Sequence, residues 1–279
     1  MKILLATSNP HKLAEIAAVM TDPALQIVTL KDIGLDIAEP IEDQPTFEGN
    51  ALLKAKYYAL AAGLPCFADD SGLEVDALHG SPGVISARYS GTTGDRDVVD
   101  PANNQKLLNE LGDLPKEKRT ARFVCAMAFT YPTPAPAPAP GSSDQTNDKL
   151  KGSDPVSISS RLDTQCDDGP AESQSSSAGL KNQSRKNKGK NKGVRNLFED
   201  FSPIVVRGTI EGRILGPGDA GYAIDNPAGI GSNGFGYDPL FFVPELGKTT
   251  AQLSPKHKNQ ISHRGNACRL IWEQLKQWV

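Results

Sequence analysis

The sequence predicts an α/β protein, a mixed sheet flanked by helices, and three observations predict it. Strand, turn and helix signals alternate from the N-terminus. A helical stretch over 47–60 runs at once into a short strand and an acidic segment. Arg122–Tyr131, dense in apolar residues, and Pro203–Ile214, alternating and broken at Gly, read as neighbours in one sheet.

Lys2–Ala6 is a short apolar run closed by polar Thr7–His11. Lys12–Met20 follows with Leu13, Ile16, Ala17 and Met20 at helical spacing. Pro10 falls just inside the helix start, where its missing N–H costs nothing, and Ser8 or Asn9 is placed to cap the free amides. A helix start with small polar residues and Lys12 beside it suits an anion; an ordinary N-cap is the plainer reading. Leu25–Leu30 reads as a second strand returning parallel to the first. Asp32–Thr46 is acidic and turn-rich, either a solvated loop or a flap that brings Glu42 to a metal. Phe47–Leu60 carries Ala51, Leu52, Ala55, Tyr58 and Ala59 on one face of a helix, and its Lys54 either snorkels or neutralises phosphate charge.

The chain is organised around Phe67–Leu78, FADDSGLEVDAL, read as a strand ending in an acidic turn at Asp69 and Asp70. Two carboxylates this close cannot both ionise in a dry site unless a cation or a shared proton separates them. A hard ion such as Mg²⁺ resolves that conflict, taking one or two carboxylates and completing its shell with water and phosphate oxygens. A solvated turn is the plainer alternative. Beyond it, Leu73, Val75 and Ala77 alternate with acids as in a half-buried strand, and Gly80–Gly91 is a loop whose Arg88 is either a phosphate clamp or a surface residue. Pro101–Leu111 is helical, with Leu107, Leu108 and Leu111 on its buried face.

From Pro132 to about Leu197 the grammar changes, first to alternating Pro, then to Ser, Asp, Lys, Asn and Gly with scarcely an apolar pair. Such a stretch cannot offset its ordering entropy, so 132–197 is expected to be a disordered insertion joining two parts, 1–131 and 198–279, of a single domain. Its basic end, Lys181–Arg195, reads as a solvated tether, and Cys166 as an exposed thiol. Pro203–Ile214 is a strand or a hairpin broken at Gly. Gly234 and Gly236 bracket Phe235, letting backbone approach a ligand while the ring is presented for stacking; a tight turn with a core Phe is the alternative. Lys258, His263 and Arg264 gather at the entrance of an amphipathic helix through Ala267, Ile271, Leu275 and Trp278, placed to donate to carbonyl or phosphate oxygens.

A formal net charge of −3 over 279 residues argues against a general nucleic-acid binder or a protein of anionic membranes. The N-terminal apolar run is too short for a signal peptide, and no apolar run is long enough to span a bilayer. Four scattered cysteines suggest neither a zinc site nor a disulfide framework, and fit a reducing cytoplasm.

Six ordered blocks carry a resemblance: TSNPHK at 7–12, TFEGNALLKA at 46–55, FADDSGLEVDAL at 67–78, PGVISARYSG at 82–91, GFGYDPLFF at 234–242 and SHRG at 262–265. With these the chain resembles the inosine triphosphate pyrophosphatases, the Ham1-like or RdgB-like enzymes for non-standard purine nucleotides. The resemblance implies an elongated mixed α/β fold with a central twisted sheet and a cleft between two lobes, within a homodimer. It implies Mg²⁺-dependent hydrolysis of ITP, dITP and XTP to monophosphate and pyrophosphate. Residue by residue, it implies that Thr7, Ser8, Asn9, Pro10, His11 and Lys12 wrap the triphosphate, and that Ser71 lies against it. Asp70 is implied as general base and metal ligand, Glu42 as a metal contact, and Asp69 and Lys54 as supporting groups. Phe235 is implied to stack on the purine, Gly236, Tyr237 and Asp238 to complete that wall, and Lys258, His263 and Arg264 to read base and phosphates. Gly49 stands where many members carry Glu, leaving Glu42 and Glu48 as the carboxylate candidates. Two other readings fit the same residues: a pyrophosphatase of different specificity, for dUTP or a modified NTP such as m⁷GTP, and a non-enzymatic nucleotide or nucleic-acid-binding module.

Overall fold

The computed structural model describes residues 1–7, 9–132 and 201–276. Its strands are β1 (Lys2–Leu5), β2 (Gln26–Thr29), β3 (Cys66–Val75), β4 (Thr120–Thr130), β5 (Ile204–Ile214), β6 (Phe241–Val243) and β7 (Lys248–Thr249). Its helices are α1 (Pro10–Ala17), α2 (Phe47–Ala62), α3 (Arg96–Leu111), α4 (Pro255–Ile261) and α5 (His263–Leu275). The strands form one mixed sheet in the order β2-β1-β3-β4-β5-β6-β7. β1 is parallel to β2 and β3, and the remaining pairings are antiparallel. The strands on either side of the low-complexity stretch, β4 and β5, are neighbours as expected, in register from Thr120↔Arg213 to Phe129↔Ile204. Apart from Pro132, the expected insertion lies outside the described residues, as do Cys166, the basic run at 181–195 and Trp278.

Alternation along the strands sorts the core. On one face Ile3, Leu5, Phe67, Met127 and Phe129 pack under Ile16 of α1 and Ala267, Ile271 and Leu275 of α5. On the other, Leu4, Cys66, Ala68, Val124, Ala126 and Ala128 meet Phe47, Ala51, Ala55, Tyr58 and Ala59 of α2. Small residues on both sides of that contact bring helix and sheet close together. Thr46 caps α2 by accepting from the Gly49 N–H at 3.1 Å, and Gly63, with φ +63°, ends it. A third cluster, with Leu73, Val75, Leu107, Leu108, Phe123 and Phe241, lies under α3. Among the described residues no helix is long and apolar enough to cross a membrane.

Two expectations need correction, and one open alternative is decided. The acidic segment is not a turn: β3 runs unbroken through Asp69, Asp70, Ser71 and Gly72, because β4 pairs with it continuously from Cys66↔Thr130 to Val75↔Ala121. The chain turns only after Val75, so Ala77 lies in a 3₁₀ turn rather than a strand. The third helix begins at Arg96, with Pro101 in its interior; proline's φ is helical and forfeits one backbone bond there. Of the two readings of Pro203–Ile214, strand or hairpin, the strand holds: β5 runs unbroken from Ile204 to Ile214. Its glycines mark close approaches: a Cβ on Gly208 would lie 2.3 Å from the His263 carbonyl oxygen, and one on Gly212 2.6 Å from that of Phe242. α5 therefore sits with its first turn directly against β5. The Gly80–Gly91 loop contains a 3₁₀ helix, Gly83–Arg88, after a cis Ser81–Pro82 bond.

Candidate active site

β1 stops early, and a cleft opens where it stops. Leu5 is the last β1 residue in register, opposite Phe67, and the Ala6 N–H donates to the Phe67 carbonyl at 2.8 Å. From Asp69 onward that edge of β3 has no strand beside it among the described residues, only an isolated bridge from Glu74 to Pro82. A cavity of about 300 Å³ lies here, outside the carboxyl end of a parallel strand, where α/β sheets hold their ligands. On the face that carries Phe67 and then Leu73 and Val75, Asp69 and Ser71 interrupt the apolar row.

Asp69 points toward α1 and α5, where it meets Lys12 Nζ at 3.0 Å and Arg264 Nε at 3.3 Å. Arg264 donates to Ser71 Oγ at 2.9 Å and pairs with Glu15; Glu15 meets Lys258 at 3.2 Å, and Lys258 meets Asp238 at 2.6 Å. Six charges thus alternate in sign from Lys12 to Asp238. Burial pushes the Asp69 carboxyl up, but Lys12 and Arg264 outweigh it and hold the group well below the usual carboxylate range. Burial opposes the Arg264 charge as well, and Asp69 and Glu15 among its neighbours more than offset that.

Asp70, the next residue, points the other way, toward α2. It accepts from Asn50 Nδ2 at 3.1 Å and lies 3.6 Å from Lys54 Nζ, which meets Glu42 at 2.9 Å. Burial raises its proton affinity above that of an ordinary aspartate; Lys54 opposes the rise and Glu42 adds to it. Glu42 and Asp70 carry two negative charges and Lys54 returns one, so the group has a net negative charge that a hard divalent cation would balance. Among the described residues no three His, Cys, Asp or Glu side chains converge as ligands. That donor set fits an ion such as Mg²⁺, which completes its shell with water and phosphate oxygens, rather than an all-protein cage. Gly49 has a local use: a Cβ there would lie 2.8 Å from Gln44 Cβ, so its absence lets the segment bearing Glu42 pack on α2. Glu48, the other carboxylate candidate, instead pairs with Arg207 at 3.0 Å outside the cleft.

The opposite wall carries His263, stacked on Phe123 with ring centroids 5.0 Å apart. Burial, then Arg264 and Lys258, hold its pKa well below the usual value, so the imidazole is neutral. Among the described residues neither its Nδ1 nor Asn9 Nδ2 has a hydrogen-bond partner, although both atoms are buried. Phe235 stands nearby, its N–H donating to Asp238 at 2.8 Å and its ring 5.2 Å from Lys258 Nζ and 5.0 Å from the Arg96 guanidinium.

The cleft brings together Thr7, Asn9, Lys12, Glu42, Lys54, Asp69, Asp70, Ser71, Phe235, Gly236, Tyr237, Asp238, Lys258, His263 and Arg264. Ser8 lies outside the described residues. Pro10 and His11 do not line the cleft: Pro10 is the first residue of α1, and the His11 ring packs 5.3 Å from Phe235. Tyr237 directs its hydroxyl to the Ser86 carbonyl at 2.8 Å, and Arg88 is exposed at the rim. Sequence reading missed Glu15, Asn50, Ser86, Arg96, Asp100 and Asn103. Glu15 and Asn50 sit one helical turn from residues that were singled out, but polarity alone did not separate them from solvated positions. Asp95 and Asp97, acidic residues at a helix start, were the available signal for α3.

The sequence profile described as the Ham1 family matches residues 3–144 and 148–274. The dITP/XTP pyrophosphatase of Shigella flexneri is 36% identical over 275 residues, covering 99% of this chain and 98% of that relative. Among solved structures, the Staphylococcus aureus Ham1 protein superposes with a TM-score of 0.63 at 30% identity, covering 100% of both chains. The nucleoside-triphosphatase / dITP/XTP pyrophosphatase of Mycobacterium abscessus gives 0.57 at 32% identity, over 97% of this chain and 98% of that one.

Proposed function

The chain belongs to the Ham1 family, and from that premise we propose that it hydrolyses the non-standard purine nucleotides ITP, dITP and XTP to monophosphate and pyrophosphate. The observation that carries the reading is the division of labour across β3. A carboxylate of raised proton affinity, Asp70, faces one side of the cleft, while a charge-balanced set of donors, Lys12, Lys258 and Arg264, faces the other.

In this reading water attacks the α-phosphorus. The new P–O bond forms as the bond to the α–β bridging oxygen breaks, pyrophosphate leaves, and the water's proton passes to Asp70, a base whose affinity is tuned upward by burial. Glu42 and Asp70 would hold Mg²⁺, which would supply electrostatic stabilisation of the phosphate oxygens when bound. Lys12 and Lys54 balance charge on the leaving group, and Thr7 and Asn9, with its unpartnered Nδ2, donate to phosphate oxygens. Phe235 offers its ring to the purine, with Gly236, Tyr237 and Asp238 behind it. A 6-oxo group accepts hydrogen bonds where adenine's 6-amino group donates. Adenine's amino group would instead set a donor against Lys258 and Arg264, side chains that cannot accept, and is rejected on that account. The working form is a homodimer in the cytoplasm, a setting in which the described thiols, Cys66, Cys125 and Cys268, all free and buried, stay reduced.

Hydrolysis of dITP in ¹⁸O-labelled water tests the reaction. Label in dIMP supports attack at the α-phosphorus; label in pyrophosphate or orthophosphate contradicts it.

A further inference from the structure

We infer that Asp100 and Asn104, one turn apart on α3, are positioning residues that hold the Phe235 ring where the substrate's base must stack. The inference rests on the function proposed above and adds two residues to its base-binding wall.

Phe235 lies between Gly234 and Gly236, whose φ angles are +83° and +62°. A segment of this kind has little stiffness of its own, because glycine moves freely among conformations closed to other residues. A ring presented from it needs its backbone fixed from outside. α3 does this at a single residue. Asp100 Oδ2 accepts from the Gly236 N–H at 2.8 Å, and Asn104 Nδ2 donates to the Gly236 carbonyl at 3.1 Å. Both polar groups of Gly236 are thereby held by side chains at i and i+4 of one helix.

The same face of α3 reaches further. Asn104 Nδ2 also donates to the Pro227 carbonyl at 3.1 Å, tying down the chain that leads into this segment. One turn earlier, Arg96 lies 3.7 Å from Asp100 Oδ2 and places its guanidinium 5.0 Å from the Phe235 ring centroid. α3 is in turn anchored to the neighbouring wall of the cleft, since Asn103 Nδ2 donates to the Ser86 and Ala87 carbonyls, each at 3.3 Å. Asp238 secures the Phe235 N–H on the other side at 2.8 Å. The backbone that carries the ring is therefore held by two carboxylates, one from its own loop and one from a helix 136 residues from Gly236 in sequence. Asp100 acts through the Gly236 backbone.

Loss of this hold should weaken base binding and spare the chemistry at Asp70. Asp100→Ala is expected to raise KM for dITP about tenfold while kcat changes by less than about threefold. Asp100→Asn keeps an oxygen acceptor for the Gly236 N–H and should stay near wild type, which a merely structural role for the charge would not allow. In a Phe235→Ala background, Asp100→Ala should add little, because the two act as one unit. Independently of turnover, Asp100→Ala should speed amide hydrogen exchange at Gly236 in the nucleotide-free protein about tenfold or more. An unchanged KM, an undiminished effect in the Phe235→Ala background, or unchanged exchange at Gly236 overturns the inference. If the wild-type protein releases no pyrophosphate from dITP, the proposed function falls, and the exchange measurement still decides whether Asp100 holds Gly236.

Discussion

Asp69 and Asp70 are adjacent in sequence and opposite in direction: the first meets Lys12 at 3.0 Å and Arg264 at 3.3 Å, the second Asn50 at 3.1 Å and Lys54 at 3.6 Å. Successive side chains of a strand point to opposite faces, so the electrostatic conflict expected of neighbouring carboxylates does not arise. The two groups are tuned apart instead, Asp69 downward and Asp70 upward.

The pair should therefore respond differently to the same substitution. A raised folded pKa contributes stability that is present below the ordinary value of 3.8 and lost as pH rises through the folded value, so at neutral pH ionised Asp70 detracts from stability. Asp70→Asn should lower turnover by about 10²-fold or more without lowering the urea midpoint. Asp69→Asn strips a buried partner from both Lys12 and Arg264 and should cost about 3–5 kcal/mol. Urea denaturation of the two variants, alongside turnover, separates the roles; equal destabilisation by both would contradict the assignment.

The pH profile of activity should move in opposite directions with the two neighbours of Asp70. Lys54 holds the Asp70 pKa down and Glu42 pushes it up. Lys54→Met should then shift the acid limb of kcat/KM to higher pH, because the free base is lost sooner as pH falls, and Glu42→Gln should shift it lower. Profiles measured at fixed magnesium check the sign; shifts in the same direction would not fit.

A third test lies away from the reacting groups. Gly208 lets the start of α5 rest on β5, and an added Cβ would lie 2.3 Å from the His263 carbonyl oxygen and 2.4 Å from the Ala267 amide nitrogen, both rigid backbone. Gly208→Ala should cost about 1–3 kcal/mol and displace His263 and Arg264 from the cleft. Urea midpoint and kcat/KM for dITP should fall together.

Much of this was legible in the sequence, and the failures have physical causes. The pairing of the strands at 120–130 and 204–214 followed from strand-like stretches on either side of one low-complexity run, and the first strand, helix and strand from spacing and capping residues. The direction of Asp69 and Asp70 did not follow, because Asp-Asp-Ser-Gly has turn composition and only the partner β4 keeps it extended. Pro101 concealed the first turn of α3, and with it Arg96 and Asp100. No local signal ties that turn to Gly236, 136 residues on, because the contact exists only through the fold. Glu15 was missed for a similar reason: a surface-like acid on α1 gains its partners, Arg264 and Lys258, from α5 and α4.

The most direct test compares pyrophosphate release from dITP and dATP by the wild-type and Asp70→Asn proteins, with and without magnesium. Wild type should release pyrophosphate from dITP in a magnesium-dependent manner, with kcat/KM for dATP lower by about 10²-fold or more. Asp70→Asn should release almost none from either nucleotide. Comparable turnover of dATP, or an Asp70→Asn protein of undiminished activity, would contradict the account.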